Sequence, residues 1–243
     1  MSLERLVYST VTEQYNSLRK IEDKAAGIVS NFTPFPPREV LGLLRGEQQI
    51  EDIVSKAGST YNVSPETVKI LLNNSSSALT SLQTPQVQQF LLNVCPPKED
   101  ILRSTVTLNS LTQFFININR TVQRLEKIIN ISETTVDVLR GIILILKINP
   151  TPIPPGLPIS ATTIPADSLD VAKLKTDQAK NIIVIVESFL NQVSPLIQKI
   201  SSTLQQTASI VNLCMINLPE EDQQEFQLEL TDTLNEIGNF SNP

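Results

Sequence analysis

The chain has no histidine and no tryptophan, and only two cysteines, two methionines and seven glycines among 243 residues. Without histidine there is no imidazole base, no catalytic triad of the usual kind and no histidine metal ligand. Cys95 and Cys214 each lack a CxxC partner, which excludes the common zinc sites. Two isolated cysteines point to a reduced, cytosolic environment, in which each is a small buried side chain. The glycines form neither a GxGxxG nor a GxxxxGKS run, so the commonest nucleotide loops are missing. Charge is scarce as well, at 18% of residues with a net of -6. The densest basic cluster (Arg19, Lys20, Lys24) sits beside Glu22 and Asp23, so no face can neutralise a run of phosphates and nucleic acid is not an expected partner. The longest unbroken apolar runs, Ile142–Leu146 and Ile182–Val186, fall far short of the roughly 20 residues that span a bilayer. No apolar signal-peptide core follows Met1–Arg5, so a membrane is not expected either, and the sequons at Asn31 and Asn130 carry no meaning on this reading.

What the chain does have is apolar periodicity. Hydrophobic residues make up 40%, too many for disorder. Asn and Gln together number 35, so much of the surface is neutral and polar and suits contact with neighbouring proteins. From Ile101 to Leu146 a ladder climbs in alternating steps of 3 and 4: Ile101, Ser104, Leu108, Leu111, Phe115, Ile118, Val122, Leu125, Ile129, Ser132, Val136, Leu139, Ile143 and Leu146. No proline interrupts it, and the spacing keeps one stripe of a helix on a fixed seam. The ladder predicts a nearly continuous helical rod of roughly 70 Å. Phe114, Ile128 and Ile142 widen the stripe, and Leu102, Ile116, Ile131, Val138, Leu144 and Ile145 fall on other faces. Such a helix needs several neighbours, which favours a bundle or packed assembly over a lone two-stranded rod.

Prolines mark the helix starts. Ser64, Pro65 and Glu66, Thr84, Pro85 and Gln86, and Leu218, Pro219 and Glu220 each place Pro at a first helical position; Ser64 and Thr84 are ready caps. Helices are expected at about 2–30, 37–56, 65–82, 85–94, 98–148, 166–217 and 219–237, the last ending at Gly238. The first has the stripe Leu3, Val7, Val11, Tyr15, Leu18, Ile21, Ala25 and Ile28, with Glu4, Glu13, Arg19, Glu22 and Asp23 on a polar face. A second long arm carries Ile182, Ile185, Phe189, Val193, Leu196, Ile200, Leu204, Thr207, Val211, Cys214 and Leu218, with Pro195 inside it as a bend near Asn191. Between the arms, 149–165 holds Pro150, Pro152, Pro154, Pro155 and Pro158 around Gly156, a stiff extended elbow. The expected fold is all-α: an elongated antiparallel long-helix hairpin at 98–218, with shorter N-terminal helices at 1–97 and a C-terminal helix and tail at 219–243.

The carboxylate pairs Glu22 with Asp23, Glu51 with Asp52, Glu99 with Asp100, and the run Glu220, Glu221 and Asp222 lie at helix starts or on polar faces, where they complement the helix dipole. No residue is therefore assigned a catalytic, cofactor-binding or metal-binding role, and no enzyme or cofactor is expected.

The segment Asn149-Pro-Thr-Pro-Ile-Pro-Pro-Gly-Leu-Pro-Ile-Ser160, set between an Ile/Leu-rich helix and a Ser/Thr/Gln-rich one, resembles virion structural proteins of tailed phages, which share the low charge and long helices. The resemblance covers residues 100–218. It implies a non-enzymatic structural subunit of the tail or baseplate, located in the virion after assembly in the host cytoplasm. Its expected partners are other virion proteins in multiple copies. A cellular helical scaffold or adaptor is the alternative.

Overall fold

In the computed structural model, the residues described are 2–32, 39, 42, 43, 46–73, 84–131, 134–147, 171–215, 218 and 235. Among them the chain is all-helical, with no strand. The helices are α1 (Leu3–Asn31), α2 (Ile50–Ser59), α3 (Pro65–Asn73), α4 (Pro85–Val94), α5 (Lys98–Ile131), α6 (Thr135–Lys147) and α7 (Thr176–Met215), with a 3-10 turn at Val171–Lys173 before α7. The proline-rich elbow 149–165, all but residue 235 of the helix expected at 219–237, and parts of those expected at 37–56 and 65–82 lie outside the described residues.

The caps form where the sequence places them. Ser64 Oγ accepts from Thr67 N at 3.2 Å, and Thr84 Oγ1 from Val87 N at 3.3 Å, each satisfying a first-turn N–H that has no helical partner. Between α2 and α3 the chain turns through Asn62 in the left-handed region (φ 57), which asparagine tolerates better than most residues.

The expected rod from Ile101 to Leu146 is instead two helices. Thr134 caps α6: its Oγ1 accepts from Asp137 N at 3.3 Å and also pairs with the Asp137 carboxylate. The second helix then turns back. A Cβ built on Gly141 would fall 2.5 Å from Ile128 Cδ1. Thirteen residues of unbroken helix would hold those positions roughly 20 Å apart. The ladder weakens where the rod divides. Ile129 is half-buried and Val136 is 42% exposed, whereas Leu125 before it and Leu139 after it are buried. Perfect apolar spacing survived the break because α6 needs a buried stripe of its own.

The long helices α5 and α7 pack against each other. Cys95, just before α5, joins Cys214 in the last turn of α7, and Ser194 Oγ donates to Glu126 Oε1 at 3.2 Å. The bonded cysteines correct the expectation of two separate reduced thiols. The second arm starts at Thr176, later than the expected 166, and runs on through Pro195.

The chain divides into two compact units, one of residues 1–21 and 114–198, the other of 22–113 and 199–243. The division falls inside α1, α5 and α7, and both units draw on segments from either side of residue 97. In the first unit α5 is enclosed on nearly every side: Phe114, Phe115, Ile116, Ile118, Asn119, Thr121 and Val122 are all buried. That is the bundle environment the widened stripe calls for. Here the 3-10 turn packs on α6 and buries Val171. In the second unit α2 packs on α3 and α4, and Phe32, Phe90, Leu71 and Leu108 are buried.

Candidate functional site

Three of the carboxylate pairs lie among the described residues, and a cation stands beside one member of each. Glu22, expected on the polar face of α1, is only 8% exposed, and its Oε1 lies 2.7 Å from Lys199 Nζ in the second unit. Burying a carboxylate without a partner would cost several kcal/mol, so this placement depends on the lysine. Glu51 and Asp52 occupy the first turn of α2, and Glu51 lies 3.8 Å from Lys69. Glu99 and Asp100 occupy the first turn of α5, where Asp100 faces Arg103 at 3.6 Å. Each pair stands at the positive end of a helix dipole. Glu220, Glu221 and Asp222 lie outside the described residues. Among the described residues no three Cys, Asp or Glu converge on a point where a metal ion could sit.

The two cysteines are committed to each other. Their Cα atoms lie 5.4 Å apart across a sequence separation of 119, inside the range a disulfide requires. Cys95 is the C-cap of α4, and Cys214 is wholly buried on the apolar stripe of α7. Nothing in their local sequence announces the pairing. The one available signal was their even number in a chain with no other thiol.

The first unit also holds a cleft between two of its helices. Tyr8, Val11, Thr12 and Tyr15 of α1 face Val184, Ile185, Ser188, Phe189 and Gln192 of α7 across a cleft of about 390 Å³. The α1 residues recur at spacings of 3, 4 and 7, which puts them on one helix face. Two of the cleft's apolar members stay largely uncovered, Tyr8 at 59% and Val184 at 60% exposure. The Arg19 guanidinium stands over the Tyr15 ring, 5.6 Å from its centroid, and Nη2 donates to the Tyr15 hydroxyl at 3.2 Å. Ile131, Val136 and Leu144 add exposed apolar surface at the end of α5 and along α6 of the same unit. Isolated exposed apolar residues are ordinary; the five on this unit, together with Ile70, Leu92 and Val106 on the second, are candidate contact positions. No described helix is long and apolar enough to cross a membrane. The chain matches no protein-family model, no curated protein and no solved structure.

Proposed function

We propose that this chain is a non-enzymatic structural subunit of a large protein assembly, a tailed-phage particle in which it belongs to the tail or baseplate. The observation that carries the assembly reading is the apolar surface left on the first unit: Tyr8, Val184, Ile131, Val136 and Leu144. These side chains are 42–64% exposed, so burying each against a neighbouring subunit is worth about 1 kcal/mol, and several must act at once to hold subunits together. The weakly charged, amide-rich composition is consistent with this, because few charges need to be stripped of water on contact. The phage reading rests on the resemblance at 149–160 and its flanking helices. An internal disulfide fits a particle that spends its life outside the cell.

The test is quantitative mass spectrometry of purified particles from lysed host cultures, with the same chain carrying Val136→Glu or Val184→Glu in parallel. The unaltered chain is expected at a fixed copy number per particle. The exposed-site variants are expected to fold as soluble monomers and be depleted from particles. Absence of the unaltered chain from particles, with recovery in host-cell complexes, would favour the cellular scaffold instead. Full incorporation of both variants would remove this surface from assembly.

A further inference from the structure

We propose that the Cys95–Cys214 disulfide is a reversible redox latch on the second unit, opened when a small thiol attacks Cys95. The two cysteine residues differ in burial. Cys214 is wholly buried in the last full turn of α7, whereas Cys95 is half-buried at the end of α4. Cys95 also lines a cleft of about 420 Å³ with Leu92, Pro96, Pro97, Ile101 and Leu218, and Leu92 at its edge is 74% exposed. Thiol–disulfide exchange needs a thiolate to reach a sulfur along the S–S axis, so only Cys95 can be attacked without unfolding the helix that holds Cys214.

The exchange balances with glutathione as reductant. Its thiolate bonds to Cys95 Sγ, the S–S bond breaks, and Cys214 leaves as a thiolate that takes a proton from water. A second glutathione thiolate then attacks the mixed disulfide, releasing oxidised glutathione and, after protonation, the Cys95 thiol. Closure runs the same path backwards. Because Cys214 is sheltered, it meets no external thiol and acts only as the partner that resolves an adduct on Cys95. An accessible cysteine beside a resolving one is the arrangement redox-responsive proteins use. The bond ties the chain before α5 to the end of α7 across 119 positions. Opening it therefore frees the corner between α4 and α5, and the last turn of α7, to move apart.

The experiment treats the oxidised full chain with millimolar reduced glutathione in oxygen-free native buffer. Free thiols are trapped with a maleimide at intervals and mapped by mass spectrometry. Opening is expected without denaturant, with transient glutathione on Cys95 and none on Cys214, and oxidised glutathione should re-form the bond. Hydrogen exchange should quicken at 91–100 and 210–215 in the opened protein. Leu92→Glu, an exposed change, should slow opening by the doubly charged glutathione thiolate several-fold and opening by the singly charged mercaptoethanol thiolate to a smaller extent. A bond that opens only in denaturant, an adduct on Cys214, or identical glutathione rates for Leu92→Glu and the unaltered chain would overturn the proposal.

Discussion

The two halves of α7 share one stripe and live in different surroundings. In 176–198 the helix alternates: Ile182, Val186, Phe189 and Val193 are buried, while Val184, Glu187, Ser188, Asn191 and Gln192 are exposed. In 199–215 only Ser202 is exposed, and even Ser201, Thr203, Gln206, Thr207 and Asn212 are buried. A helix covered on all sides can hold hydroxyls only if they find partners. Thr203 Oγ1 donates to Lys199 O at 2.9 Å and Thr207 Oγ1 to Thr203 O at 2.7 Å, each using the turn before it. Gln206 Oε1 reaches further and accepts from Ile50 N at 2.9 Å, satisfying a first-turn N–H of α2. The second unit thus gathers a disulfide, a shielded ion pair and a distant cap around one enclosed helix segment. The first keeps an amphipathic segment of the same helix. Apolar period alone does not distinguish a helix with one neighbour from a helix with several.

The sharpest break in that comparison is a charge placed in each half. Leu204→Asp puts a carboxylate at a site with no exposure and should destabilise the protein by about 4–5 kcal/mol, a large share of the roughly 5–15 kcal/mol that holds a domain folded. Val184→Asp, at 60% exposure, should cost no more than about 0.5 kcal/mol. Urea unfolding followed by circular dichroism compares them, and equal losses would mean the two halves are not differently enclosed. Leu125→Asp, fully buried on α5 in the first unit, should match Leu204→Asp, because both units have a real core.

Next in size is the disulfide. Cys95→Ser should lower stability by about 3–4 kcal/mol, since bridging so long a loop removes much of the unfolded chain's entropy. Hydrogen exchange should show the loss concentrated in the second unit, at α4 and the end of α7. A uniform loss over both units would show that they do not unfold as separate bodies.

Much of this was legible in the sequence and some was not, for identifiable reasons. The ends of α1 and α4 fall within a residue of their expected positions, because the signals are local: Thr84 and Pro85 at one start, a stripe from Leu3 to Ile28 along the other. The buried stripe of α7 was readable for the same reason. The division of α5 from α6 was also written locally, in Thr134 and Asp137 three residues apart, but an uninterrupted apolar ladder outweighed it. Glu22 was misplaced because its partner, Lys199, is distant in sequence, and the cysteine pairing was hidden by the same kind of distance. As for a site, the sequence assigned no residue to one, and exposed apolar surface is a property of packing that no single helix pattern reveals.

The close approach of α6 to α5 offers a test of sign. Were 101–146 one exposed-faced rod, Gly141→Val would be neutral or mildly stabilising, since glycine is a poor helix former. With α6 folded back, the added side chain meets Ile128 and should destabilise by about 1–2 kcal/mol through overpacking. Adding Ile128→Ala to Gly141→Val should recover most of that loss. Thermal unfolding of both variants decides it: stabilisation by Gly141→Val alone would restore the single rod.

The smallest effect concerns hydroxyls buried in the second unit. Thr112 is wholly buried on α5 and its Oγ1 has no hydrogen-bond partner, whereas the equally buried Thr207 on α7 is bonded to Thr203 O. Valine has nearly the same shape as threonine, so Thr→Val isolates the hydroxyl. An unpartnered buried hydroxyl has lost its water and gained nothing in return, so Thr112→Val should stabilise by about 0.5–1 kcal/mol. Thr207→Val gives up a made bond and should cost up to about 1 kcal/mol. The two substitutions should therefore move the melting temperature in opposite directions by a few degrees. If both lower it, Thr112 has a partner in solution, and the enclosure of this unit is less dry than the burial of its helices implies.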